Sequence, residues 1–143
     1  MDEKQRVEEL QDTDFKYVMQ DTGNIYIGAR LTYAELMEQE MLPFKMKTII
    51  QHYFLKETSL ESEFYYLEKG SFLYETFAQL RIKVKVNVLT EKKSLFGKKK
   101  MVYTEKILTL KELTEMNLAR KKASGMIIRE IIVSKLGLMT FSV

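Results

Sequence analysis

Between Glu91 and Lys100 the chain carries Lys92, Lys93, Lys98, Lys99 and Lys100 around an apolar pair, Leu95 and Phe96. A lysine ammonium is a compact point charge suited to phosphates and carboxylates. The chemistry on offer here is recognition of an anion, not bond making. Three further cations, Arg81, Lys83 and Lys85, precede the cluster at alternate positions. Catalytic chemistry is thin elsewhere. His52 is the single histidine and there is no cysteine. No His or Cys cluster can therefore be expected to hold a metal, and a serine–histidine–acid arrangement has only one candidate base. The glycine-rich phosphate loops and the G-x-S-x-G elbow have no counterpart in the sequence. Glu61 and Glu63 are two apart and do not share a helix face, whereas Glu35 and Glu38 do, on a face that reads as charged and outer. No catalytic residue, metal or cofactor is assigned on these grounds.

Charge is spread unevenly. Residues 1–80 hold 8 Lys/Arg against 15 Asp/Glu, a net −7, while residues 81–143 hold 15 against 5, a net +10. Such asymmetry points to an anionic partner, or to one half of the chain meeting the other half of a second copy. Three roles compete for the basic tip. The plainest is a solvated loop whose lysines keep an edge strand from aggregating. A second is nucleic acid: a basic hairpin following helices resembles the wing of a winged-helix domain, which implies lysines on phosphates. Segment 45–69 argues against this, because its lysines are balanced by glutamates. The third is another protein, or less readily an anionic membrane surface, with Leu95 and Phe96 inserted and the lysines on acidic groups.

These residues need a scaffold, and the sequence supplies one. Ile82, Val84, Val86 and Val88 alternate with Arg81, Lys83, Lys85 and Asn87, the period of a half-buried strand. A return strand follows from Met101 to Leu110, with Gly97 providing the backbone freedom of the turn. This central hairpin spans about 81–110. An earlier one spans about 15–30, with turn chemistry at Asp21-Thr22-Gly23-Asn24. Three T-x-x-E sequences, from Thr32, Thr58 and Thr109, predict helix starts. Met46, Ile49, Ile50, Tyr53 and Phe54 trace one face of a helix that begins after Pro43. Segment 72–79 fits helix and strand templates alike. The helix is favoured because a single strand through to Leu89 would be far too long. Segment 126–136 is apolar on nearly every side and fits either state. Met139, Phe141 and Val143 alternate with Leu138, Thr140 and Ser142, which predicts a C-terminal strand.

The expectation is one α+β domain: an antiparallel sheet covered by three to five helices, with residues 1–13 a polar helical or frayed extension. The 143 residues suffice for a real core. No apolar run is long enough to span a membrane. The acidic, polar start resembles neither a secretory signal nor a transit peptide, and with the lack of cysteine it favours a cytoplasmic location. The function expected is a non-enzymatic binding or accessory protein that works in an assembly, with itself or another protein, through the basic hairpin edge. Nucleic-acid binding by a wing-like hairpin is the alternative.

Overall fold

The structure is a computed structural model that describes residues 15–53 and 58–141. The expected extension at 1–13, and the end of the helix that was to carry Phe54, lie outside the described residues. The described chain runs β1 (Val18–Gln20), β2 (Asn24–Gly28), α1 (Tyr33–Glu38), α2 (Phe44–Tyr53), α3 (Leu60–Tyr65) and α4 (Phe72–Gln79). It continues through β3 (Lys83–Lys93), β4 (Lys99–Thr109), α5 (Leu110–Glu115), α6 (Leu118–Ala123), β5 (Ile127–Ser134) and α7 (Lys135–Thr140). The five strands form one antiparallel sheet in the order β1-β2-β5-β3-β4. The α+β class therefore holds.

Both hairpins form where turn chemistry placed them. In the first, Asp21 Oδ1 accepts from the amides of Gly23 and Asn24 at 2.9 and 2.7 Å. In the second, Ile82, Val84, Val86 and Val88 are all buried, as their period of two requires. Two of the three T-x-x-E sequences are complete capping boxes, Thr32 with Glu35 and Thr109 with Glu112. The third start is displaced by one residue: Ser59 caps α3, and Glu61 instead pairs with Arg30 at 3.3 Å. Segment 72–79 is helical, capped by Ser71.

The ambiguous segment at 126–136 becomes β5, the middle strand, paired to β2 on one side and β3 on the other. Central position explains its near-continuous apolar run: Ile128, Ile131 and Val133 face the core, while Glu130 and Ile132 on the other face are kept 5% and 8% exposed between the neighbouring strands. The expected C-terminal strand is corrected. Ser134 caps α7, and Leu138 and Phe141, three apart, are the buried pair while Met139 is exposed. Alternation over six residues suits either state, and here the i, i+3 spacing prevails. The helices number seven among the described residues, beyond the three to five expected, chiefly because they are short: the segment after Thr109 divides into α5 and α6.

One face of the sheet carries the core. Ile25, Ile27, Val84, Val86, Ile128, Ile131 and Val133 meet Leu36, Met46, Ile49, Phe64, Phe77 and Leu113 from the helices. Phe64 and Phe77 stack with centroids 4.9 Å apart. Gly28 is fixed by a close approach: a Cβ there would lie 2.2 Å from the Phe15 carbonyl oxygen. No helix among the described residues is long and apolar enough to cross a membrane.

Candidate functional site

The structure divides the basic residues between two places. The first is an arm. β5 pairs with β3 only as far as Asn87, and the last tie to the body is the Leu89 amide donating to the Ser124 carbonyl at 2.8 Å. Beyond it, β3 and β4 have only each other, paired from Thr90↔Val102 to Lys93↔Lys99. Four residues per strand make a ribbon about 13 Å long before the turn. Every residue from Glu91 to Met101 is exposed.

The tip of the arm is held by its own hydrogen bonds. The Ser94 hydroxyl oxygen accepts from the amides of Phe96 and Lys98 at 3.3 and 3.2 Å. The Ser94 amide donates to the Lys98 carbonyl at 2.8 Å, and Gly97 takes φ +77°, where a glycine is unstrained. Leu95 and Phe96 are thereby presented outward, at 102% and 90% of full exposure. Along the ribbon Lys92 faces Lys100, and Lys93 faces Lys99. Like charges directly opposite each other destabilise a ribbon. A salt bridge from Lys99 to Glu91 at 3.5 Å relieves part of this.

The second place is a groove of about 420 Å³ on the sheet face opposite the helices. Register builds it: Tyr26, Ile132 and Lys83 lie in one row across β2, β5 and β3, and Glu130, Lys85 and Ile107 in the next. Asn24, Ser134 and Arg81 complete the rim. Arg81, Lys83 and Lys85 were expected on a solvated outer strand face, and the structure gives them a more particular setting. Arg81 sits just past α4 at φ +53°, a left-handed conformation that glycine usually fills. Lys85 is half-buried and bridges Glu105 at 3.1 Å and Glu130 at 3.8 Å. Asn87, expected in water, is buried and accepts from Arg129 at 3.4 Å, because β5 covers it.

Glu130, which was not among the candidate residues read from the sequence, lies at the floor. It is only 5% exposed. Its Oε2 accepts from the Tyr17 hydroxyl at 2.5 Å, while Oε1 has no hydrogen-bond partner among the described residues. Burial, and then the bond to Glu130, hold the Tyr17 phenol well above the ordinary tyrosine range, so that it stays a donor. Lys121 on α6 was also passed over. It is buried, its Nζ donates to the Tyr65 carbonyl at 2.8 Å, and desolvation lowers its pKa. His52 lies exposed at the end of α2. No group of three or more His, Cys, Asp or Glu suited to a metal occurs among the described residues.

Comparison with protein-family models, with curated proteins and with solved structures gave no match.

Proposed function

We propose that the chain is a non-enzymatic binding module that docks in a protein assembly through the β3–β4 arm. One observation carries this reading: Leu95 and Phe96 are fully exposed at the end of a ribbon whose turn is fixed by Ser94, so the fold spends order on presenting apolar surface. Two others support it. β4 is an edge strand of eleven residues, and its open edge can accept a strand from a partner. The opposed lysine pairs favour an acidic partner, and the half of a second copy that carries −7 has the right sign. Replacing both Leu95 and Phe96 with Ser tests the reading. By sedimentation velocity, association of the full chain should fall at least tenfold with the melting temperature unchanged. Association equal to that of the parent contradicts it.

A nucleic-acid reading has one observation in its favour. α6 brings Arg120 and Lys122, both exposed, next to the base of the arm, where Leu89 is bonded to Ser124. A phosphate backbone could follow that line. Duplex DNA added at 50 mM salt distinguishes the two: the assembly reading predicts no shift in the sedimentation of DNA.

A further inference from the structure

We infer that the free edge of β4 takes up an extended strand of an acidic partner, one whose side chains alternate between carboxylates and apolar groups. The inference rests on the reading that the arm docks in a protein assembly, and it adds the chemistry of the partner. An unpaired edge offers a row of backbone donors and acceptors, and proteins usually blunt it with a short strand, a proline or a bulge. The other edge of this sheet, β1, is three residues long. β4 is not blunted in these ways. It runs eleven residues without proline, and its register to β3 is unbroken from Lys83↔Thr109 to Lys93↔Lys99. What it carries instead is lysine, at positions 99, 100 and 106. Like charges across a strand pair repel, so the same edge of a second copy is a poor occupant, while a strand bearing acids is attracted.

The two faces of β4 set the pattern of that strand. Side chains alternate along a strand. Lys100 and Lys106 share the face on which Leu108 stands opposite the buried Val84. Met101 and Ile107 share the other, on which Ile107 stands opposite Lys85. These two apolar side chains are 50% and 55% exposed. Lys85 is taken by Glu105 and Lys99 by Glu91. Lys100 and Lys106 have no such carboxylate among the described residues, and Lys92 stands opposite Lys100 on the same face. Paired strands put facing side chains on the same side of the sheet. A partner with carboxylates on the lysine face therefore presents its alternate residues to Met101 and Ile107, where apolar groups fit. The backbone edge supplies affinity and the two faces supply selection. Lys100 and Lys106 lie six residues apart, about 20 Å of strand, so a partner segment of about seven residues spans them.

The probe is a capped peptide of about eight residues alternating glutamate and valine, titrated into the full chain at 50 mM salt and followed by amide NMR shifts. The amides from Met101 to Ile107 should move saturably, with a Kd below about 1 mM. A peptide of the same composition, with its glutamates and valines in two blocks, should bind about tenfold more weakly or worse. Methylating alternate backbone nitrogens of the peptide should abolish binding for one set and spare it for the other, because only every second residue of a strand bonds a given neighbour. Lys100→Glu with Lys106→Glu, both at exposed positions, should transfer the preference to a lysine–valine peptide. The chain with Leu95→Ser and Phe96→Ser should bind the glutamate–valine peptide as the parent does, since both side chains lie beyond this edge. Equal affinity for the blocked peptide, equal effects of the two methylation patterns, or no saturable shift up to about 10 mM each overturns the edge site. The arm reading is then judged separately, by the association that Leu95 and Phe96 support.

Discussion

Tyr17 donates its hydroxyl proton to Glu130 at 2.5 Å, across 113 residues of sequence. The bond ties the segment before β1 to the central strand and holds the carboxylate at the floor of the groove. Tyr17→Phe would leave both oxygens of a buried carboxylate without a hydrogen bond. We expect a loss of about 1–3 kcal/mol in unfolding free energy by urea titration. The pH dependence follows from the raised pKa of the phenol. Its contribution is present below the unfolded value of 10.0 and is lost as pH rises beyond it. The gap between parent and variant should therefore be constant below about pH 9 and narrow above pH 10. A gap that widens there contradicts the assignment.

Lys121 gives the opposite slope. Burial lowers its pKa in the folded state, so between that lowered value and the unfolded 10.5 the unfolded chain binds the extra proton. Stability should rise with pH across that window. Lys121→Met removes the titrating group and should remove the rise. The check is the difference between parent and variant unfolding free energies measured from pH 8 to 10. A difference independent of pH would mean the ammonium is not desolvated as its burial implies.

Val86→Asp probes the core face of β3. Val86 is fully buried opposite Ile128 of β5, and an aspartate there would have no partner. A cost of several kcal/mol is expected. An unchanged melting temperature would show that the strand does not present this face to the helices.

The elements that were legible from sequence are those whose signals are local. Alternation at Ile82–Val88, the glycine at the tip, Asp21 in its turn and the boxes at Thr32 and Thr109 each act within a few residues. What was not legible depends on distant partners. β5 could not be told from a helix, because a strand covered on both faces shows no alternation. The last helix was hidden because Leu138 and Phe141 take their meaning from the core they meet. The same holds for the sites. The arm was readable as a basic hairpin, since its lysines are contiguous. The groove was not, because register alone brings Glu130, Lys85 and Tyr26 onto one face. A lone glutamate within an apolar run was the available signal: Glu130 interrupts Met126–Leu136, where a buried charge needs a reason.

Arg81→Gly bears on stability. Left-handed backbone costs an ordinary L-residue about 1 kcal/mol that glycine avoids. The variant should melt a few degrees higher than the parent by calorimetry. A lower melting temperature would mean that the Arg81 side chain stabilises the fold by more than its left-handed backbone costs.

The central claim is that the arm docks an acidic partner through charge and two apolar side chains, and light scattering of a Lys98→Ser, Lys99→Ser, Lys100→Ser variant tests it most directly. These lysines are exposed and outside the core. The variant should keep the parent melting temperature. At 50 mM salt the parent should scatter as an associated species that dissociates as salt rises toward 300 mM, because screening shortens to below about 8 Å over that range. The triple variant should scatter as a monomer throughout. A parent that is monomeric at low salt, or a variant that associates as strongly as the parent, contradicts the account.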